Sequence, residues 1–281
     1  MEKKTSLALY GALIGDYYGS YWEFLFDKPK SKEDALRLRP KGHFYTDDTF
    51  MTLAVAKAVH SSGNAHDNLS EKAIECMREI GNRHWGSYGG SFAKWLRDPH
   101  PHPYYSWGNG ASMRVSAAGL DAKSQFQASS LSYLVTSVTH DHPWGIYYAD
   151  VVANLIFIAK GVEDGSKKAM ISYLKKEHGA LFHRIEGFDL ERLHDSYAFN
   201  ETSHDTVPQA IWCFLSSESF EDCLARSLYI GGDSDTLAAI ACSIAAPFYG
   251  DAQVRPFVSK LPALPADLKK ILKVFSKKHL C

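Results

Sequence analysis

The chain has 281 residues, 45% hydrophobic and 22% charged, with a formal net charge of −1. This is the composition of a globular protein long enough to bury a core without staples. Its dispersed Lys and Arg leave no electrostatic footprint for nucleic acid or an anionic membrane. The five cysteines (Cys76, Cys213, Cys223, Cys242 and Cys281) form no C-x-x-C pair, and a reducing cytoplasm suits them as free thiols. Met1-Glu2-Lys3-Lys4 precedes an apolar stretch that Asp16 interrupts, which argues against a signal peptide. Thr236 to Gly250 falls short of the roughly 20 residues that span a bilayer.

Taken in order, Ser6 to Phe26 reads as a tightly packed helix, with Gly11, Ala12, Gly15 and Gly19 on neighbouring turns. Its acids, Asp16 and Glu23, lie about two turns apart and so project from one side. A buried acid needs a partner: a basic residue, a helix terminus or a metal. Asp27 to Tyr45 reads as a surface loop with a short helix near Lys32 to Leu38, long enough to serve as a lid. Thr46-Asp47-Asp48-Thr49 then opens an apolar helix from Phe50 to His60, and another runs from Ser70 to Asn82.

The Gly-rich tract His84 to Gly90 precedes a short helix, Ser91 to Arg97. Alternating prolines over Asp98 to Pro103 make an exposed rigid loop of His100 and His102 rather than a metal tract. In Ser106 to Arg114, glycines beside hydroxyls expose backbone N–H groups suited to phosphate. Helical spacing returns at Ala128 to Val138, Gly145 to Lys160 and Ser166 to His178, whereas His183 to Thr202 shows no period. Asp205 can cap a helix from Thr206 to Leu215, and Ser219 to Asp222 form a capping box before Cys223 to Ile230. Gly231-Gly232-Asp233-Ser234-Asp235-Thr236 opens a last core helix of small residues. Beyond Pro256, Pro262 and Pro265, a basic amphipathic helix runs over 266–277. With no repeat and no linker, the reading is one all-α domain with its core over 6–250.

The two acid turns carry the chemistry. Acids and hydroxyls suit a helix N-terminus as caps, but one acid per helix would suffice. Were the four carboxylates to converge, each pair about 4 Å apart would repel by ~4 kcal/mol at an effective dielectric near 20. A hard divalent cation such as Mg²⁺, Mn²⁺ or Ca²⁺ would reverse that repulsion. An EF-hand does not fit, since the spacing after Asp235 lacks its glycine and its position-12 Glu.

Together these motifs resemble the ADP-ribosylglycohydrolase family, related to dinitrogenase reductase-activating glycohydrolase. The matching pieces are Gly11 to Asp16 with Gly19 and Glu23-Phe24; Tyr45 to Thr49; Gly86 to Gly90 with Trp95; Gly108 to Arg114; Thr139-His140; and Gly231 to Thr236. They span nearly the whole chain. Tyr17-Tyr18 departs from the smaller pair usual in the family, and Ser116 to Gly119 lacks its usual proline.

The resemblance implies a compact all-α fold with a binuclear metal cleft holding two divalent cations, Mg²⁺ or Mn²⁺. Their ligands would be Thr46, Asp47, Asp48, Asp233, Asp235 and Thr236. It implies hydrolysis of the ribosyl C1 bond of an ADP-ribosylated protein, small molecule or nucleic-acid conjugate, with ADP-ribose as product. Glu23, with Asp48 and Asp235, would serve the catalytic step, Glu23 as a proton-transfer group or gate. Asp16 would orient a metal-bound group from behind. Gly86, Ser87, Tyr88 and Gly89, with Ser106, Trp107, Gly108, Asn109 and Gly110, would hold the diphosphate, His140 would position substrate, and Trp107, Tyr88 or Tyr147 would stack adenine. A cytoplasmic monomer is expected. Two rivals remain: a two-metal phosphohydrolase acting on the diphosphate, and a non-catalytic binder that keeps the fold.

Overall fold

Apolar residues recur at helical spacing along the chain, and side-chain oxygens mark many of the helix starts. Seven of these oxygens accept a backbone N–H of the first turn: those of Ser31, Thr46, Ser124, Ser166, Asp189, Thr202 and Ser219. The computed structural model describes residues 6–278 except Phe24, Phe26, Trp85 and 162–164, and for 276–278 the backbone alone. Met1 to Lys4, Phe24 of the Glu23-Phe24 motif, Trp85 of the Gly-rich tract and Cys281 therefore lie outside the described residues.

The first helices are α1 (Leu7–Gly19), α2 (Lys32–Leu36), α3 (Asp47–Ser61), α4 (Leu69–Arg83), α5 (Gly90–Arg97) and α6 (Gly110–Met113). Then come α7 (Ser116–Asp121), α8 (Gln125–Thr136), α9 (Pro143–Ala159), α10 (Lys167–Glu177), α11 (Gly179–Glu186) and α12 (Leu190–Ser196). The chain closes with α13 (Ser203–Ser216), α14 (Phe220–Ile230), α15 (Ser234–Tyr249), α16 (Asp251–Val258) and α17 (Ala266–Lys278). The fold is all-helical, with no strand among the described residues. None of the described helices is long and apolar enough to cross a membrane.

At the centre, α1 lies along α15, and α3, α9, α13 and α14 pack around this pair. The central contact is made by backbone. A Cβ on Gly11 would come within 2.1 Å of the Cys242 carbonyl oxygen, and one on Gly15 within 2.3 Å of Ala238 backbone. Small residues on both helices thus place α1 and α15 closer than ordinary side chains permit.

Several boundaries differ from the sequence reading. α1 ends at Gly19 rather than at Phe26, so Glu23 sits in a following turn and not two helical turns beyond Asp16 on one face. The Asp27 to Tyr45 segment is anchored: Ala35 is buried, Trp22 Nε1 donates to its carbonyl, and Lys32 pairs with Asp222 at 2.7 Å. The tract without periodicity, His183 to Thr202, contains the end of α11 and all of α12, two pieces too short to show a period and broken at Gly187. Thr202, not Asp205, caps α13; Asp205 lies in its first turn. The tail folds back, since α16 carries Pro256 within it and α17 buries Leu268, Leu272 and Phe275. Cys76, Cys213, Cys223 and Cys242 are buried free thiols.

Candidate active site

Two helix N-termini meet on the floor of one cleft. Before α15, Gly231 and Gly232 take φ values of +77° and +78°, a left-handed conformation that favours glycine. They deliver Asp233 to the helix start and Asp235 to its first turn. Helix α1 holds that turn: a Cβ on Gly19 would lie 2.4 Å from Asp235 Cα, and Ser234 Oγ donates to the Gly19 carbonyl at 3.0 Å.

The start of α3 is built by hydrogen bonds instead. Thr46 Oγ1 accepts from the Asp48 N–H at 3.3 Å and donates to Asp16 Oδ1 at 2.8 Å. Asp16, fully buried on α1, also accepts from the backbone N–H groups of Thr46 and Thr49, each at 3.0 Å. The buried acid of α1 therefore finds its partner in a helix terminus, the one that bears Asp47 and Asp48. With capping done by Thr46 and Asp16, both of those carboxylates face the cleft. Thr236 Oγ1 donates to Asp48 Oδ2 at 2.9 Å and joins the two turns.

Glu23 completes the floor: one oxygen each from Glu23, Asp233 and Asp235 lie within 4.8 Å of one another. So many acids together resist ionising. Burial, then the charge of Asp235, pushes Asp48 well above the carboxylate range, and the same causes act on Asp233. Burial, then Glu23, does so for Asp235. Burial lifts Asp47 to about 6 and Asp16 to about 7, while burial and then Asp233 lift Glu23 to about 8. Among the described lining residues Arg114 is the one cation, its own pKa lowered to about 10 by burial. Asp48 Oδ1 and Glu23 Oε2 are buried without a hydrogen-bond partner. Orphaned carboxylate oxygens, an oxygen-only donor set and uncompensated negative charge fit a hard divalent cation.

The cleft encloses about 240 Å³. Glu23, Asp47, Asp48, Ser87, Gly89, Ser106, Gly108, Asn109, Gly110, His140, Asp233, Asp235 and Thr236 all line it. Five residues singled out in the sequence as metal ligands or substrate contacts do not. Thr46 sits beneath it on Asp16, and Gly86 packs against the Asp47 backbone, where a Cβ would lie 2.9 Å from Asp47 Cα. Tyr88 turns its hydroxyl to the His84 carbonyl at 2.9 Å, and Tyr147 pairs with His178 Nδ1 at 3.1 Å. Trp107 stands at the mouth, half exposed, lining a neighbouring pocket with Tyr105 and Glu201.

The loop Ser106 to Gly110 is less open than its glycines suggest. The Gly108 N–H donates to Ser106 Oγ at 3.1 Å and the Asn109 N–H to the Glu201 carbonyl at 2.8 Å. Asn109 Nδ2 donates to Asp233 Oδ2 at 2.6 Å, so this side chain orients a floor carboxylate. The uncapped N-terminus of α5 supplies amides instead, since Gly89, Gly90, Ser91 and Phe92 line the cleft. His140 is buried, its pKa held well below the usual range by burial and then by Arg114. Its Nδ1 lies 2.7 Å from Thr139 Oγ1, which also accepts from Arg114.

The structure adds Arg114, Glu201, Tyr104, Ser91 and Phe92 to the cleft. Arg114 ends a motif visible in the sequence, but only burial reveals its position. Glu201 carries no local signal; it arrives because residues 201–203 are stitched to the Ser106–Gly110 loop by backbone hydrogen bonds.

The site is thus an oxygen-lined cleft in an all-helical domain, where two acid-bearing helix starts meet in a donor set that could hold a metal ion. The family model described as ADP-ribosylglycohydrolase matches residues 2–278, and the chain belongs to that family. It is 24% identical over 310 residues to ADP-ribosylhydrolase ARH3 of Homo sapiens, covering 88% of this chain and 85% of that protein. It is 25% identical to the ADP-ribosyl-[dinitrogen reductase] glycohydrolase of Rhodospirillum rubrum, over 86% of this chain and 84% of the other. ADP-ribosylarginine hydrolase Tri1 of Pseudomonas putida (strain GB-1) shares 23% identity over 89% of this chain and 71% of its own. A solved structure titled ADP-ribosylglycohydrolase-related protein complex superposes with a TM-score of 0.71 at 21% identity, over 98% of this chain and 97% of that one.

Proposed function

We propose that this protein hydrolyses the ribosyl C1 bond of an ADP-ribosylated substrate and releases ADP-ribose. The observation that carries the reading is the convergence of the α3 and α15 starts with Glu23 on one floor, in a chain of this family. The similar proteins named above are all hydrolases of ADP-ribosyl linkages by name.

Two divalent cations, Mg²⁺ or Mn²⁺, would be held by Asp47, Asp48, Asp233, Asp235 and Thr236, with Glu23 close to the α15 pair and Thr46 beneath, its hydroxyl engaged by Asp16 and the Asp48 N–H. When bound, they supply positive charge and Lewis acidity toward the ribose hydroxyls and water. The chain's own residues do the rest. Asn109 and Thr236 fix the orientations of Asp233 and Asp48. Glu23, at the margin of the acid floor, moves the proton between water and the departing acceptor. The N-terminus of α5 presents free amides and the positive end of its dipole to the diphosphate, with Ser87 and Ser106 beside it. His140, kept neutral, offers a hydrogen bond near Gly108 and Gly110 without adding charge. Trp107 is the exposed aromatic at the mouth on which adenine stacks.

The test is product analysis on Arg-, Ser- and nucleic-acid-linked ADP-ribose with Mg²⁺, with Mn²⁺ and with chelator. Metal-dependent release of intact ADP-ribose from one of them is expected. Release of AMP would instead make the protein a phosphohydrolase, and tight ADP-ribose binding without release would make it a binder.

A further inference from the structure

Glu23 lines the acidic cleft on one side and a second cavity on the other. Lys28 stands in the wall of that second cavity, beside Tyr197 and the Gly231–Gly232 turn that delivers Asp233. Its ammonium donates to the carbonyls of His194 and Tyr197, at the C-terminal end of α12. Carbonyls at a helix end lack partners within their own helix and carry the negative end of its dipole, so a cation suits them. Lys160 and Lys167 close α7 and α13 in the same way, Lys160 on the Leu120 and Ala122 carbonyls and Lys167 on those of Leu215 and Ser217. Lys28 differs in what its helix end touches.

Both glycines of the acid turn are held from this side. A Cβ on Gly231 would lie 3.0 Å from Cγ and Cε of Lys28, so the lysine stem runs along that residue. A Cβ on Gly232 would lie 2.5 Å from Tyr197 Cε1 and 3.1 Å from the Ala198 carbonyl oxygen. Tyr197 is buried, and its own carbonyl is one of the two that Lys28 holds. The α12 end is fastened as well to the chain just before the turn. There His194 Nδ1 donates to the Tyr229 carbonyl at 2.7 Å, and the two rings stack with centroids 4.0 Å apart. Lys28 also follows Glu23 closely in the chain, so one side chain ties the segment bearing Glu23 to the turn bearing Asp233.

We infer that Lys28 is a positioning residue of the acid floor. By holding Tyr197 against Gly232 and its own stem against Gly231, it sets where Asp233 stands relative to Glu23 and Asp235. The inference rests on the metal-holding reading above. Two consecutive glycines can pass through backbone conformations closed to other residues, and packing from outside must select one of them. No side chain caps α15, so the backbone beneath Asp233 depends on that packing. Gly19 of α1 supplies it at Asp235, and Lys28 with Tyr197 supplies it at the two glycines. On the cleft side Asn109 Nδ2 then orients a carboxyl whose backbone is already placed. Without the ammonium the α12 carbonyls lose their donor, Tyr197 loses its tether, and the donor set loses the fixed geometry that a divalent cation requires.

The test is calorimetric titration of the metal-free full chain with Mn²⁺, with thermal melts of the same samples. Lys28→Met keeps the stem and removes the ammonium. It is expected to weaken Mn²⁺ binding by about tenfold, the low end for loss of a group that orients a metal ligand. Lys28→Arg restores a cationic donor and is expected to recover most of that loss. Lys160→Met removes the matching ammonium from α7, and none of the groups that Lys160 donates to lines the cleft. It is expected to lower the melting temperature and leave Mn²⁺ affinity unchanged. Tyr197→Leu takes the ring from Gly232; it is expected to act as Lys28→Met does, and it carries the test if that variant does not fold. Unchanged Mn²⁺ affinity in Lys28→Met and Tyr197→Leu would overturn the inference and leave the metal reading intact. Equal weakening in Lys160→Met would overturn it too, reducing Lys28 to general support of the fold. No Mn²⁺ binding by the wild type would remove the metal reading and this inference with it.

Discussion

The starts of α3 and α15 bear nearly the same side chains and are held in opposite ways. At α3, polar groups do the holding, with Thr46 capping the helix and Asp16 receiving N–H groups from across the core. At α15 no side chain caps the helix; two glycines set the turn and Gly19 of α1 packs against its backbone. The α3 start is thus fixed by hydrogen bonds and the α15 start chiefly by steric fit, with one oxygen of Asp235 accepting the Thr236 N–H at 2.9 Å. The floor so built remains electrostatically unsatisfied.

The largest effect tests whether the two starts act as one site. Asp47→Asn and Asp235→Asn are each expected to reduce turnover by roughly a thousandfold, about 4 kcal/mol of barrier. In metal-free protein at pH 8, Asp47→Asn should raise the melting temperature, because it removes a charge from a repelling set. Full activity in one of the two would break the symmetry between the turns.

A smaller effect separates steric from polar support. Gly19→Ala should destabilise the protein by about 1–3 kcal/mol, since its Cβ meets the Asp235 backbone with no flexible side chain to yield. Gly86→Ala meets the Asp47 backbone less closely, at 2.9 Å, and should cost less in chemical denaturation. Equal costs would mean that both turns lean on packing alike.

The smallest concerns pH. Asp47, Asp16 and Glu23 have carboxyls raised to about 6, 7 and 8 in the fold, from ordinary values of 3.8, 3.8 and 4.5. Between about pH 4 and 8 the native metal-free state thus holds protons that the unfolded chain has lost, and stability falls as pH rises. Calorimetry without metal should show the melting temperature dropping between pH 5.5 and 8, on the order of 2–4 °C for each kcal/mol lost. Added Mn²⁺ should restore more at pH 8 than at pH 5.5. A metal-free profile rising through that window would contradict the acid floor.

What the sequence determined by itself was local: helical spacing, the capping box at Ser219, and two acid turns with more carboxylates than a cap requires. Those features lie within a few residues of one another, where neighbouring side chains decide backbone hydrogen bonding. Some short elements escaped: α11 and α12 span too few turns to show a period, and Pro256 disguised α16 as a break. Tertiary structure alone decided that Asp48 meets Thr236, that Asp16 spends its charge on the α3 terminus, and that Arg114 and Glu201 reach the cleft. It also set Glu23 between two cavities. Each of these follows from how closely α1 approaches α15 and from backbone bonds between distant loops, and distances across a packed core depend on every layer between the groups rather than on any stretch of chain.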